Sequence, residues 1–422
     1  MINVLWLCNI VLPDFSQEFG IKRASTGGWM TGMLHALEAV DMINISLCFP
    51  IYDKSRLKSG VCGGHMYFTF LRDSVEEYSM EMINSFERIL EESQPNIVHI
   101  WGTEFPHTTA MLLACRNKGI LNRTVIHLQG LVSVIAGHYR SGIPDKYWSL
   151  KKVAAVSMEE AAAMRVKRGK CEIESLKMVR YVIGRTTWDR ACVEAINPKV
   201  HYYSCDEILR DIFYEYAGLW RYDTCQKYSI FISQATYPIK GFHYFLQALS
   251  VIIRKYPDTQ VFVAGIDIVN VEKKDAYAVY IEKLIEELAL DKAITFLGSL
   301  DEGQMVEQYL KANVFVLASV MENSPNSLNE AMLIGVPSVA SYVGGICDRI
   351  HMNTDGFLYP YDEPELLAYY VCKIFENKEG LCQTLSGNSV KASLQFTDPE
   401  KNRKQMIHIY EEISGQGEPY AV

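Results

Sequence analysis

Two glutamates, Glu322 and Glu330, lie on either side of a predicted helix start. The apolar run before them predicts a buried strand that ends near Ala318, and the following pattern predicts a helix that begins near Asn326. Both carboxylates can therefore face the crevice at the carboxyl end of the strand, where open α/β sheets bind ligands. Carboxylates accept hydrogen bonds from sugar hydroxyls, and the backbone N–H groups of Asn326 and Ser327 suit an anion. The spacing indicates a site for a sugar diphosphate.

The same residues allow a plainer interpretation. Ser324 or Asn326 could cap an ordinary surface helix, with Glu330 as a solvated partner of the helix dipole. The two interpretations differ in whether the two carboxyl groups face a ligand groove or bulk solvent.

Strand-like and helical patterns alternate along the whole chain, which predicts βαβ units and open, doubly wound sheets. The predicted strands are 2–12, 45–49, 96–101, 123–129, 180–184, 199–203, 228–233, 260–264, 293–297, 313–317, 337–341 and 356–359. The predicted helices are 29–39, 241–255, 273–289, 303–312, 326–334, 363–377 and 398–414. The alternation restarts after a mixed stretch at 205–226, where we expect a domain boundary.

Composition excludes several classes of protein. The 422 residues suggest two or three domains, and 49% hydrophobic with 22% charged residues is typical of globular proteins. The net charge of −9 argues against a nucleic-acid partner. Eleven scattered cysteines without a C-x-x-C pair favour reduced thiols in a cytoplasmic protein. Residues 1–12 lack the basic residues of a signal peptide and the length of a membrane span, so we expect a buried strand.

Motifs for other chemistry are missing from the sequence. No D-x-D occurs to hold a metal with a nucleotide diphosphate, and the single G-x-G, at 415–417, does not follow a strand. Neither H-E-x-x-H nor G-x-S-x-G is present. We therefore expect no metal site.

Residues 322–330 (ENSPNSLNE), with the following AMLIGVPSVAS and Gly344-Gly345, resemble the Glu-x7-Glu motif of the retaining glycosyltransferases of family 4, the glycosyl transferases group 1 domain. The resemblance extends over the second half of the chain and is looser in the first half. It implies the GT-B fold, in which two Rossmann-like doubly wound domains face each other across a cleft and a C-terminal helix crosses back to the first domain.

This resemblance divides the chain into three parts. We expect an N-terminal acceptor-binding domain at 1–205, a nucleotide-sugar-binding domain at 206–397, and a helix and tail at 398–422 that pack on the first domain.

The resemblance also assigns roles to single residues. Glu330 would accept hydrogen bonds from the ribose of the nucleotide, and Glu322 would orient the transferred sugar. Lys240 would neutralise the diphosphate as it leaves, together with the backbone amides of Asn326 and Ser327. The donor would be a UDP-sugar or a GDP-sugar, and no further cofactor is implied.

Two glycines and a glutamine would complete the site from the first domain. Gly27 and Gly28 would let the backbone approach the diphosphate, although a plain turn explains them equally well. Gln129 stands where many members of the family have a histidine, and it can exchange hydrogen bonds with substrate but cannot act as a general base. His127, two residues earlier, would then be a core histidine.

A second departure concerns the leaving group. The family usually has an arginine five residues before the lysine, and here that residue is Ala235. Arg185 is a conceivable substitute, with a structural ion pair as the alternative. The basic stretch 151–180 could contact the inner face of a membrane, or be a solvated helix face.

Together these features predict a retaining glycosyltransferase that moves a hexose from a nucleotide-diphosphate sugar to a hydroxyl of a glycan or lipid-linked acceptor in surface-polysaccharide assembly. The leaving phosphate itself would help to deprotonate the acceptor. The alternatives are a nucleotide-sugar 2-epimerase on the same fold and a non-catalytic sugar-nucleotide binder.

Overall fold

The computed structural model describes residues 1–21, 28–148, 150 and 157–415. The chain forms two compact units. Unit 1 comprises Met1–Ala136, Met164–Arg210 and Thr397–Val422, and unit 2 comprises Gly137–Ala163 and Asp211–Phe396.

Each unit is built on one largely parallel sheet. The strands of unit 1 are β1 (Ile2–Leu7), β2 (Ile43–Ile51), β3 (Ser59–Cys62), β4 (His65–Leu71), β5 (Ile97–Trp101), β6 (Thr124–His127), β7 (Tyr181–Gly184) and β8 (His201–Ser204). Those of unit 2 are β9 (Ser229–Ile232), β10 (Gln260–Ala264), β11 (Ile294–Gly298), β12 (Val314–Leu317), β13 (Ser338–Ser341) and β14 (Phe357–Tyr359).

Helices alternate with these strands. In chain order they are α1 (Gly28–Glu38), α2 (Met80–Ser93), α3 (His107–Asn117), α4 (Val132–His138), α5 (Asp145–Trp148), α6 (Met158–Met178), α7 (Thr187–Ile196), α8 (Asp211–Glu215), α9 (Phe242–Lys255), α10 (Ala276–Glu287), α11 (Glu302–Lys311), α12 (Asn326–Ile334), α13 (Pro364–Glu376), α14 (Leu381–Thr397) and α15 (Pro399–Ser414). None of the helices in the described ranges has the length and apolar character needed to cross a membrane.

Strand order places a crossover in the middle of each sheet. In unit 1 the order is β3-β4-β2-β1-β5-β6-β7-β8, with β3 and β4 antiparallel and the other pairs parallel. In unit 2 the order is β11-β10-β9-β12-β13-β14, all parallel. The apolar strands at the sheet centres, such as β1 and β12, are buried on both faces, as parallel sheets require.

The structure confirms each predicted strand and helix within a few residues, with one clear correction. The first strand ends at Leu7 instead of residue 12, because its pairing with β2 stops at Cys48. The hairpin of β3 and β4 has no counterpart among the predicted strands. Helices α2 and α3 of unit 1 were likewise not predicted, whereas α6 lies within the basic stretch 151–180 that was interpreted as a helix.

Residues 137–163 group with unit 2, whereas the expected first domain, 1–205, included them. The contacts of Ser141 explain the grouping. Its backbone oxygen lies 3.0 Å from Nε2 of His243, and its hydroxyl lies 3.2 Å from the hydroxyls of Tyr244 and Tyr361. The turn at this segment thus packs on the start of α9.

The C-terminal helix α15 is anchored in the core of unit 1 by Tyr410. Indole Nε1 of Trp6 donates to the Tyr410 hydroxyl at 2.9 Å, and this hydroxyl lies 2.6 Å from Nδ1 of His99. Burial lowers the pKa of His99 to about 3, so the ring is neutral. Because Trp6 can only donate, the hydroxyl accepts from Trp6 and its own proton remains available for Nδ1 of His99.

Replacing Tyr410 with phenylalanine is expected to destabilise unit 1 by about 1–3 kcal/mol, because Trp6 and His99 each lose a buried partner. Urea unfolding followed by fluorescence would measure the change. Tyr369→Phe, at a side chain that is 60% exposed, is the control and should shift the free energy by less than about 0.5 kcal/mol. Equal stabilities of the two variants would contradict the anchoring role.

Candidate functional site

The candidate site of unit 2 lies at the switch point of its sheet, where the chain continues from one strand to one side of the sheet and from the neighbouring strand to the other side. Strands β9 and β12 are paired, and β10 and β13 extend the sheet on their outer sides. Lys240 follows β9 and Glu322 follows β12. Ligands bind at such switch points in open α/β sheets, at the carboxyl ends of the strands. The topology therefore brings together two residues that are far apart in sequence.

The two loops touch through their backbones. The N–H group of Val320 donates to the backbone oxygen of Ile239 at 2.7 Å. Gly241 has φ +64°, and a Cβ atom there would lie 1.9 Å from the backbone oxygen of Ala318. Only glycine fits such a contact without moving one of the loops. Gly241 thus fixes the distance between the segments that carry Lys240 and Glu322.

Lys240 and Glu322 form an ion pair at this junction. Nζ of Lys240 lies 2.5 Å from Oε1 of Glu322, and the side chains are 16% and 14% exposed. Burial by itself lowers the pKa of Lys240, but the charge of Glu322 and their hydrogen bond outweigh it, and the pKa is raised. Lys240 is therefore fully protonated at neutral pH. The Ser319 hydroxyl donates to the same carboxylate oxygen at 2.8 Å.

A third loop supports Glu322 from the other side. The N–H group of Gly345 donates to the backbone oxygen of Glu322 at 3.1 Å. Gly344 has φ +50°, and a Cβ atom there would lie 1.9 Å from the same oxygen. The Ser341 hydroxyl donates to the backbone oxygen of Ser319 at 2.5 Å. The Gly-Gly pair noted in the sequence thus holds the loop after β12.

The start of α12 is not capped by a side chain. Its N-cap residue is Pro325, which has no side-chain hydrogen bond to the helix. Ser324 and Asn326 were the caps in the plainer interpretation of the sequence, and neither occupies the N-cap position. Side-chain Oδ1 of Asn326 is buried without a hydrogen-bond partner. The helix dipole therefore acts at an N-terminus whose first amides suit an anion.

Glu330 is buried, with 7% of its surface exposed. The Tyr309 hydroxyl lies 3.1 Å from its Oε2 and 3.0 Å from the backbone oxygen of Ser327, and it can donate to one of them at a time. A solvated dipole partner would instead be exposed, so the burial of Glu330 disagrees with the plainer interpretation. When the Tyr309 hydroxyl donates to Ser327, the buried Glu330 carboxylate can accept hydrogen bonds from the hydroxyl groups of a ligand.

Residue 235, where the family resemblance leads one to expect an arginine, is a buried alanine. Ala235 is buried with 1% exposure, and Nε2 of Gln234 donates to the Thr236 hydroxyl at 3.2 Å. Arg185 belongs to unit 1, where it pairs with Glu207 and donates to the backbone oxygen of Gln129 at 2.9 Å. These are the contacts of a structural ion pair, the alternative that the sequence left open.

Gln129 and Gly28 also belong to unit 1. Side-chain Nε2 of Gln129 is buried without a hydrogen-bond partner, so it can donate to a ligand. His127 ends β6, is fully buried and stacks on Trp101, and burial holds its pKa well below the usual range. It is thus a neutral core histidine. Gly28 begins α1, and Gly27 lies outside the described residues.

The structure thus joins Lys240 and Glu322 directly and places α12, with Asn326, Ser327 and Glu330, immediately after their loop. Sequence reasoning missed Ser319 and Tyr309, which orient the two carboxylates. The only signal for Ser319 was its position at the end of a strand, and nothing near Tyr309 marked it. In the ranges that the structure describes, no group of three or more His, Cys, Asp or Glu side chains is placed to hold a metal ion.

Comparisons with known proteins agree with this geometry. Residues 221–391 match the family described as Glycosyl transferases group 1. A D-inositol 3-phosphate glycosyltransferase of Corynebacterium urealyticum is 26% identical over 186 residues, which are 42% of this chain and 41% of that protein. An amylovoran biosynthesis glycosyltransferase of Erwinia amylovora is 28% identical over 116 residues, 26% of this chain and 28% of that protein. The chain spans less than half the length of the curated relatives it matches first.

Solved structures show the same fold over nearly the whole chain. Sucrose-phosphate synthase from Thermosynechococcus elongatus superposes with a TM-score of 0.72 at 16% identity, covering 98% of this chain and 100% of that one. Anabaena HepE in complex with UDP-glucose superposes with a TM-score of 0.66 at 14% identity, covering 98% and 100%. The expected α/β fold with two Rossmann-like parallel-sheet units, as in GT-B structures, is confirmed.

Gly241→Ala is expected to destabilise unit 2 by about 1–3 kcal/mol more than Gly298→Ala. Both substitutions place alanine at a positive φ, +64° and +73°, but only the first puts a methyl group against a backbone oxygen, whereas nothing lies within 4 Å at Gly298. Thermal unfolding of both variants would measure the difference. Equal losses would mean that the loops can separate without penalty.

Proposed function

We propose that the protein is a retaining glycosyltransferase that transfers a hexose from a nucleotide-diphosphate sugar to a hydroxyl of a glycan or lipid-linked acceptor. The observation that carries the proposal is the Lys240–Glu322 pair at the β9–β12 switch point, beside the uncapped start of α12. The match of residues 221–391 to Glycosyl transferases group 1 supports it independently.

Charge assigns the parts of the donor to these residues. A diphosphate is the anionic part, so it would lie at the α12 N-terminus within reach of Lys240. The carboxylates repel phosphate but accept hydrogen bonds from hydroxyls, so they would bind the sugars on either side. Glu330 would take the ribose and Glu322 the transferred hexose. Without donor, Glu322 satisfies Lys240. With donor, the diphosphate would share that cation.

The chemical step would rest on electrostatics and positioning. Negative charge grows on the leaving diphosphate, and the preorganised Lys240 ammonium and the α12 amides would stabilise it more in the transition state than in the ground state. Among the described residues of the site, the Glu322 carboxylate is paired with Lys240, so we assign no protein nucleophile. We therefore favour substitution on one face of the sugar, in which a leaving phosphate oxygen accepts the proton of the attacking hydroxyl. Gln129, with its unpartnered amide nitrogen, would hold substrate and not act as a base.

We further propose which nucleotide the donor carries and in which pathway the transfer occurs. A UDP-sugar is favoured because HepE, which shares the fold, has been solved with UDP-glucose, and a GDP-sugar is the second candidate. Surface-polysaccharide assembly is supported by the amylovoran biosynthesis relative. Ala235 supports one competing function, a non-catalytic sugar-nucleotide binder, because it removes a cation from the leaving-group site.

Lys240→Ala is expected to lower kcat/KM for the sugar donor about 100- to 1,000-fold, as removal of one preorganised donor from an oxyanion site does. The measurement is donor turnover with a panel of UDP- and GDP-hexoses. Lys283→Ala, at an exposed side chain paired with Glu286, is the matched control and should leave turnover unchanged. A folded Lys240→Ala variant with full turnover would reject the assigned role, and binding without any turnover in the native protein would favour the non-catalytic binder.

Glu330→Gln is expected to weaken nucleotide binding about 10- to 100-fold, because a charge-assisted hydrogen bond to the ribose is replaced by a neutral one. Calorimetry with UDP and GDP in the presence of a chelator would measure the affinity and identify the base. Glu307→Gln, at an exposed carboxylate on α11, is the control. Nucleotide affinity that falls equally in both variants, or in neither, would remove Glu330 from the binding site.

A further inference from the structure

Two arginines of unit 1 converge on one aromatic ring. Arg72 directly follows β4, and Arg168 lies on α6. Their guanidinium carbons lie 4.2 Å and 4.3 Å from the ring centre of Phe105, which follows β5. The two cations are therefore separated by no more than about twice that distance, although they repel each other.

Neither arginine forms an ion pair with a carboxylate of the described residues. Arg72 is 7% exposed, donates through Nη1 to the backbone oxygen of Asn9 at 3.2 Å and through Nη2 to the Tyr52 hydroxyl, and keeps a buried Nε without a partner. Arg168 donates through Nε to the backbone oxygen of Glu104. Each guanidinium has five N–H donors, so most of the donors of Arg168 remain for a ligand.

Burial of this pair leaves an excess of positive charge, because the carboxylate charges of Glu104 and Glu172 act on Arg168 but not on Arg72. Burial and the charge of Arg168 lower the pKa of Arg72 to about 10. Burial also lowers the pKa of Arg168, although the charges of Glu104 and Glu172 oppose this shift. Both remain protonated at neutral pH. An excess of desolvated positive charge is unfavourable unless an anion joins it. The local charge therefore favours an anionic ligand.

Polar acceptors surround the pair. Nδ2 of Asn9 donates to Oε2 of Glu104 at 2.8 Å, and Nε2 of His107 lies 2.8 Å from Oδ1 of Asn9. Nδ1 of His107 is buried without a partner, and burial with the nearby arginines holds the pKa of this ring well below its usual range. A neutral imidazole and a carboxylate can accept hydrogen bonds from hydroxyls. Asn9 follows β1 and Glu104 follows β5, which are neighbours at the switch point of this sheet.

We propose that Arg72 and Arg168 bind a phosphate group of the acceptor, so that the acceptor is a phosphorylated polyol whose hydroxyls contact Glu104 and Asn9. A phosphate monoester carries close to two negative charges and three acceptor oxygens, which match two guanidinium groups better than one carboxylate does. That the bound ligand is the acceptor rests on the proposed transferase function, whereas phosphate binding by the two arginines is independent of it.

The first test uses inorganic phosphate with the full chain. Phenylglyoxal labels accessible arginines, and peptide mass spectrometry locates the label. Phosphate should slow labelling of Arg168 at least fivefold relative to chloride at equal ionic strength, and should leave the exposed Arg180 unaffected. Absence of protection at Arg168, or equal protection at Arg180, would overturn the proposal.

The second test uses variants and two phosphate sources. Calorimetric affinity for a soluble sugar phosphate, glucose 6-phosphate, should fall about tenfold or more in Arg168→Gln and change less than twofold in Lys170→Gln, an exposed neighbour on the same helix. Phosphatidylcholine vesicles containing phosphatidic acid form the lipid arm. The phosphate source that protects Arg168, glucose 6-phosphate or phosphatidic acid, shows whether the ligand is a soluble sugar phosphate or a lipid. If neither protects, the acceptor assignment is wrong.

UDP affinity separates this proposal from the proposed function. Arg168→Gln should leave UDP binding unchanged, since Arg168 belongs to the other unit from Lys240 and Glu330. A native protein that binds no nucleotide but shows phosphate protection at Arg168 would refute the transferase and retain the anion site. Nucleotide binding without protection would do the reverse.

Discussion

The close approach of the loops after β9 and β12 is the constraint on which the candidate donor site depends. Lys240 and Glu322 meet at 2.5 Å because Gly241 lets the backbone pass against Ala318 and because Gly344 makes room for the backbone oxygen of Glu322. Without these contacts, a cation and an anion on separate loops would be solvated apart, where an ion pair contributes little. The fold thus preorganises a charge pair that an anionic ligand can rearrange.

In both units, charged side chains lie at the switch point of the sheet, but the balance of charge there differs. In unit 2 the cation at the switch point has a carboxylate partner, so the unliganded site is neutralised from within. In unit 1 two guanidinium groups share Phe105. Neither forms an ion pair with a carboxylate of the described residues, although the charge of Glu104 acts on Arg168. The first arrangement suits a ligand whose charge changes during reaction. The second suits a ligand whose charge is bound and left unaltered.

The features that could be predicted from the sequence are those encoded by short, continuous segments. The apolar runs and the ENSPNSLNE segment were enough to place β12, the start of α12 and both glutamates, because each is encoded within a few residues. The arginine pair was not predicted, because Arg72, Phe105 and Arg168 are distant in sequence and meet only through the strand order of unit 1. The same reason explains why nothing in the sequence indicated that residues 137–163 group with unit 2: their partners, such as His243, lie about a hundred residues later.

The alanine at position 235 limits which residues could stabilise the leaving group in the proposed reaction. Ala235 is buried and carries no charge, and Arg185 is engaged with Glu207 and with the segment that carries Gln129. In the proposed reaction, the charge that develops on the diphosphate would then be borne by Lys240 and by the start of α12, which lacks a competing side-chain cap. A capping side chain would occupy those amides and weaken the dipole's action on the phosphate. The uncapped helix start is therefore the feature that makes a single lysine sufficient in the proposed reaction.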